Sequence, residues 1–247
     1  MKIMHKLKIL LLTAVLFAPA LVVSTATLAS EKLHLERAPD VSGDKTALQN
    51  GARLFVNYCL SCHGASALRY NKLLELGLTE AQIMENLMFT TDKIGDPMTV
   101  AMAPADAKKW FGVAPPDLSL AARARATADG SGSDWLYTYL RGFYRDEARP
   151  TGWNNTVFAN VGMPHILFDL QGEQVLGADG KPQLATPGKL SAEDYDKQVA
   201  DLVGFLTWMS EPQAEFRKLL GVGVLIFLVL LFGFAYALKK EYWKDVH

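Results

Sequence analysis

Two long runs of the 247-residue chain carry no charge, and the stretch between them is periodic. The first run follows Lys2, Lys6 and Lys8: "ILLLTAVLFAPALVV", 15 residues, passes into the small-residue stretch "STATLAS". A basic start, a short apolar run and small residues are the build of a secretory leader, and an apolar run broken by Pro19 falls short of the roughly 20 residues a membrane crossing takes. The expectation is a leader over residues 1–29, cleaved near Ala29. The second run, "LLGVGVLIFLVLLFGFAYAL" at residues 219–238, is apolar on every side and long enough to cross. It predicts one transmembrane helix. Arg217 and Lys218 before it and Lys239, Lys240 and Lys244 after it are a weak guide to orientation, so orientation rests on the leader. On that basis residues 30–218 form a periplasmic domain of a bacterial inner-membrane protein, and residues 239–247 stay in the cytoplasm.

Within the exported stretch, Ala47, Gly51, Leu54, Phe55 and Tyr58 recur at helical spacing and lead into Cys59. This predicts a first helix from Asp44 that ends at the cysteines. Further helices are predicted over 79–88, 133–143 and 191–209; the last opens with "SAED", a capping-box pattern, and carries Val199, Leu202, Val203, Leu206 and Met209 as one stripe. That stripe should pack on the first helix. "APPDLS", "RPTGWNNT" and "GADGKPQLATPGK" are breaker-rich loops, and "DG" within "QGEQVLGADGKP" favours a surface hairpin with a tight primed turn. No other strand pattern is strong. A mainly α domain with long loops follows, a fold that a large buried cofactor would help to organise.

Charge narrows the partners. Without the three leader lysines, 22 basic residues face 26 acidic ones, a net of about −4, which disfavours nucleic acid. The only two cysteines stand in "NYCLSCHG", residues 57–64. A structural zinc site would need two more ligands at suitable spacing, a redox dithiol a strand-to-helix setting, and a disulfide across so short a loop would stabilise little. CxxCH remains: two thiols add to the vinyl groups of a haem and the following imidazole reaches the iron. Cys59 and Cys62 are therefore the expected thioether residues of one covalent haem c, and His63 its proximal ligand.

The sixth position decides between electron transfer and an open site for small molecules. Met84, Met88 and Met209 lie on amphipathic helices, where packing explains them. Met98 and Met102 share the loop "GDPMTVAMAP". Met163, in "NVGMPHI", is favoured over that pair because Gly162 permits close backbone approach and Pro164 stiffens the loop. His165 is the rival ligand, read more simply as a surface or propionate-side histidine.

"NGARLFVNYCLSCHGASALRYNKL", "WFGVAPPDLSLAARAR", "NVGMPHILFDL", "LVGFLTWMSEPQAEFRKLLG" and the C-terminal anchor, in that order, resemble the cytochrome c1 family, the haem subunits of cytochrome bc1 complexes. The resemblance implies a class I cytochrome c-like domain with Met163 as axial ligand. It further implies that Pro115 and Pro116, in "PPDLS", lie against the haem and that Arg125 approaches a propionate. By the same resemblance the chain passes one electron from a Rieske iron-sulfur protein to a soluble or anchored cytochrome c beside cytochrome b, with no catalysis by the chain alone. His165, where many relatives have proline, and "ATADGSGSD" after "RAR" depart from the pattern, as does the lack of an additional cysteine pair. Other readings are an anchored cytochrome of a terminal oxidase or nitric oxide reductase, or a haem sensor or enzyme with an open sixth site.

Overall fold

The computed structural model describes residues 33–100 and 102–245. The leader predicted over 1–29 lies outside the described residues. The first helix, α1 (Lys45–Leu54), starts at Asp44, whose side chain accepts hydrogen bonds from the Thr46 and Ala47 N–H groups. It continues into a five-residue π-type turn, Phe55–Cys59, so the helical stretch does end at the first cysteine. Next come β1 (Ala65–Arg69), a 3₁₀ segment over Tyr70–Leu76, and α2 (Glu80–Asn86) capped by Thr79. β2 (Pro97–Met98), α3 (Pro104–Phe111), α4 (Ala121–Ala124) and α5 (Gly132–Arg141) follow. The chain then forms β3 (Phe143–Arg145), β4 (Trp153–Asn155), α6 (Phe168–Gln171), β5 (Gly172–Leu176) and β6 (Pro182–Pro187). Two long helices close it, α7 (Ala192–Ser210) and α8 (Ala214–Tyr242).

The predicted stripe on α7 is buried throughout, from Val199 to Met209, and packs on α1 as expected. The crossing is close because Gly51 brings no side chain: a Cβ there would lie 2.1 Å from the Asp201 carbonyl oxygen. Phe55 and Phe205 meet beside it with ring centroids 5.7 Å apart. One polar link crosses the same seam. Asn50 Nδ2 donates to Asp201 Oδ2 at 2.7 Å and to Gln198 Oε1 at 3.0 Å, which satisfies a carboxylate whose pKa burial pushes up. α5 packs against α7 from another side, with Tyr195 Oη donating to the Leu140 carbonyl at 2.9 Å and Arg141 gripping both oxygens of Asp196. The extended segment before α1 is strapped over α5, where Glu36 N–H donates to Thr138 Oγ1 and Ala38 N–H to Asp134 Oδ1, both at 2.8 Å.

Strands among the described residues form three two-stranded antiparallel pairs, β1 with β2, β3 with β4, and β5 with β6. Three local expectations need correction. The β5–β6 hairpin exists, but its connection is the five-residue loop 177–181, with Gly180 at φ +75° and a Gly177 N–H to Lys181 carbonyl bond of 2.8 Å closing it. The Asp179–Gly180 pair thus sits late in a longer turn, where glycine supplies the left-handed residue, and does not form a two-residue primed turn. "RPTGWNNT" is only partly loop, because Trp153, Asn154 and Asn155 pair with β3. At the start of α7, Ser191 Oγ accepts from the Asp194 N–H at 3.1 Å and donates to Asp194 Oδ2 at 2.7 Å, in place of the full reciprocal box.

α8 runs for 29 residues, or about 43 Å at 1.5 Å per residue. Its most apolar 18-residue window has a mean hydropathy of 2.6, and none of that window is buried against the protein. A soluble core helix would be covered, so length, composition and exposure together fit a single-pass membrane anchor. Glu211, between α7 and α8, accepts from Arg123 at 3.0 Å and from Arg217 at 2.7 Å, which ties the first turn of the anchor to α4.

Candidate functional site

The π-type turn is where local structure begins to shape chemistry. Leu60 N–H reaches back five residues to the Phe55 carbonyl at 3.0 Å, while the Cys59 carbonyl accepts from Cys62 N–H at 3.0 Å and His63 N–H at 2.8 Å. CxxCH is therefore wound as a continuation of α1, and its first cysteine is anchored in the core. Such one-residue insertions recur at functional sites because they shift the register of the face that follows. Cys59 is buried and Cys62 half-buried, and no disulfide joins them. Burial, with a smaller contribution from neighbouring Cys62, pushes the Cys59 thiol up to about 12. A redox dithiol needs the opposite shift, toward thiolate.

His63 is held by its far nitrogen. Its Nδ1 lies 2.7 Å from the Pro116 carbonyl oxygen, and a carbonyl can only accept, so the proton is on Nδ1 and the Nε2 lone pair is left for a metal. Burial, outweighing that hydrogen bond and the Asp117 charge, lowers the His63 pKa, which keeps the ring neutral at pH 7. The loop carrying Pro115 and Pro116 is itself stapled to the turn after CxxCH. Leu118 N–H donates to the Gly64 carbonyl at 2.8 Å, Asp117 accepts from Ser66 N–H at 2.8 Å and Ser119 N–H at 2.8 Å, and Ser119 Oγ accepts from Ala67 N–H at 2.9 Å. "PPDLS" thus has a division of labour: Pro116 orients the imidazole, and Asp117 and Ser119 fix Pro116.

Burial works to raise the Asp117 pKa, but the hydrogen bonds from Ser119 and Ser66 outweigh it and hold the carboxyl below its usual range. A carboxyl with a depressed folded pKa contributes stability that is complete above its unfolded value of 3.8 and is lost as pH falls through the folded value. Replacing Asp117 with asparagine should therefore flatten the acid limb of the stability curve below about pH 4. The melting temperature measured against pH checks this. An acid limb as steep as that of the parent would show that Asp117 does not carry it.

Met163 is half-buried in the loop between β4 and α6. That loop is positioned by residues the sequence reading passed over. Asn155 Oδ1 accepts from Val157 N–H at 2.9 Å and Phe158 N–H at 3.2 Å, while its Nδ2 donates to the Tyr139 carbonyl at 2.7 Å. Asn154 Oδ1 accepts from Asn160 N–H at 2.8 Å, and Arg149 donates to both the Asn160 side chain and its carbonyl. Asn160 itself takes φ +62°, a left-handed value that asparagine tolerates. The methionine sulfur has one hydrogen-bond partner among the described residues, Tyr139 Oη at 3.4 Å.

The rival methionines separate by place. Met98 is fully buried and pairs with Ala65 just after His63, on the proximal side of the motif. Met88 and Met209 are core residues as expected, but Met84 is 45% exposed and does not pack. His165 needs correction as well. It is no surface residue: 3% exposed, it stacks on Phe143 at 4.9 Å and meets Trp153 edge-on at 5.0 Å. Burial drives its pKa down to about 4, so it is a neutral member of an aromatic cluster. Gly162 permits approach but is not forced by the fold, since a Cβ there would meet no protein atom within 4 Å. Arg125 lies with its guanidinium 4.3 Å from the Trp135 ring and 5.6 Å from that of Phe158, whereas its neighbour Arg123 pairs with Glu211. A guanidinium over a ring can still present its edge N–H groups to a carboxylate.

Two cysteines not joined in a disulfide, an imidazole whose tautomer leaves Nε2 for a metal, and a thioether held in a separate loop make a donor set that fits a covalent haem. The model of the Cytochrome C1 family matches residues 38–246. A cytochrome c1 from Allochromatium vinosum is 46% identical over 253 residues, covering 97% of this chain and 99% of that protein. An ammonia monooxygenase gamma subunit from Nitrosomonas europaea is 46% identical over 245 residues, covering 99% of this chain and all of that protein. The mitochondrial cytochrome c1 heme protein of Neurospora crassa is 30% identical over 252 residues, covering 89% of this chain and 70% of that protein.

Proposed function

The chain belongs to the cytochrome c1 family and carries one covalently attached haem c, and from that premise we propose how its residues hold the cofactor and whom they serve. Cys59 and Cys62 would hold the haem through two thioether bonds, and His63 and Met163 would ligate its iron. Pro115 and Pro116 would pack against the haem, and Arg125 would offer its donors to a propionate, since a guanidinium fork suits a carboxylate. Haem supplies reversible one-electron chemistry at its iron. Electron transfer asks no acid, base or nucleophile of the described residues. They fix the ligands, exclude water and set the potential.

The observation that carries this reading is the His63–Pro116 hydrogen bond, which fixes the tautomer a metal ligand needs directly after a CxxC pair. As a subunit of a bc1 complex, the chain would take an electron from a Rieske iron-sulfur protein, stand beside cytochrome b, and give the electron to a soluble or membrane-anchored cytochrome c. The haem domain, residues 30–218 after loss of the leader, would face the bacterial periplasm, with residues 219–238 in the inner membrane and 239–247 in the cytoplasm.

The test is to solubilise membranes, isolate the full chain and identify what accompanies it. A Rieske protein and a di-haem cytochrome b are expected, together with a reduced haem that does not take up carbon monoxide at neutral pH. Isolation instead with a terminal oxidase, a nitric oxide reductase or a monooxygenase, or ready carbon monoxide binding, would overturn the proposal.

A further inference from the structure

Tyr139 stands out because its ring is fixed by one set of contacts and its hydroxyl is spent on another group. The ring stacks on Trp135 at 4.8 Å and 13°, and receives Phe143 edge-on at 5.1 Å and 68°. Its hydroxyl reaches past this cluster to Met163 Sδ at 3.4 Å. A thioether has no proton, so the tyrosine is the donor. The loop does not need this bond to keep its course, because Asn154, Asn155 and Arg149 already hold it through main-chain contacts. Asn155 also ties the same loop to the Tyr139 carbonyl at 2.7 Å, so the backbones of donor and acceptor are registered to each other before the side chains meet.

We propose that Tyr139 is a positioning residue for electron transfer: its hydroxyl fixes the Met163 thioether and draws electron density from the sulfur, which favours the reduced haem. The inference rests on Met163 being the axial ligand. A thioether sulfur has two lone pairs. If one binds the iron, the other is free to accept the phenol proton, and the two contacts do not compete. Withdrawing density from the sulfur weakens its donation to ferric iron more than to ferrous iron, and the positive end of the O–H dipole, directed at the sulfur, opposes the extra ferric charge. Both effects raise the potential, through the second-shell hydrogen bonding by which a protein tunes a haem.

Tyr139→Phe removes the hydroxyl and keeps the ring in its stack, so the full-length protein, purified in its complex, should load haem normally. Its potential should fall by the equivalent of a three- to tenfold shift toward the oxidised form, about 30–60 mV at 59 mV per tenfold for one electron. The weak far-red band of methionine sulfur bound to ferric haem should persist but move, which a purely structural role of the ring would not produce. An unmoved band and an unchanged potential would overturn the role of Tyr139. Met163→Leu, measured alongside, separates the two readings. If it abolishes the far-red band while Tyr139→Phe moves nothing, only the Tyr139 proposal falls. If it leaves band and potential intact, the ligand assignment itself falls.

Discussion

Replacing Met163 with leucine is expected to lower the reduction potential by an amount on the order of 0.1–0.3 V, a sizeable part of the roughly 0.8 V range that axial ligands control. The physical reason is that thioether sulfur, a soft and neutral ligand, stabilises ferrous over ferric iron, and leucine offers the iron nothing in its place. The same change should open the sixth position, so the reduced variant should bind carbon monoxide while the parent does not. Redox titration and a carbon monoxide difference spectrum of the solubilised complex check both. The loop itself should survive the substitution, because its main chain is held by Asn154, Asn155 and Arg149. Loss of potential would then reflect ligation and not unfolding, which the melting temperature can verify. A variant with the parent potential would pass the role to another group, with half-buried Met102 the first to examine.

What the sequence revealed follows the range of each interaction. The CxxCH motif is legible because it is written within five consecutive residues. The α1–α7 packing is legible because each helix declares its buried face by spacing alone, and Val199, Leu202, Val203, Leu206 and Met209 are all buried. The π-type turn at Phe55–Cys59 is not, since it inserts a residue into an otherwise regular pattern and its cause lies in what the face beyond it must meet. The contacts of His63 and Met163 are also silent in the sequence. Pro116 is 53 residues from the imidazole it orients and Tyr139 is 24 from the sulfur it touches. Asn154 and Asn155 read as turn formers, and only the paired strand shows that their side chains hold the Met163 loop. The burial of His165 is silent for a related reason: Phe143 and Trp153, which enclose it, come from a paired hairpin that composition does not announce.

A large effect on stability is expected at Gly51. A methyl group there would be placed 2.1 Å from the Asp201 carbonyl oxygen and 2.7 Å from Phe205 Cβ, and neither is the far end of a flexible side chain. Relief requires α1 and α7 to separate, which would loosen the Phe55–Phe205 contact and stretch the Asn50–Asp201 bond across the same seam. Gly51→Ala should therefore cost about 2–4 kcal/mol, despite the better helix propensity of alanine. Because α1 runs directly into the turn that carries Cys59, the damage should extend to the cofactor, with less covalent haem per chain on a haem-stained gel and a lower melting temperature in what remains. Gly43→Ala is the matched control, since a Cβ there meets nothing within 4 Å, and its effect should stay within about 0.5 kcal/mol. Were Gly51→Ala as mild as the control, the close crossing of α1 and α7 could not be what positions the haem-binding turn, and the fold's first and last domain helices would have to hold it by their ends alone.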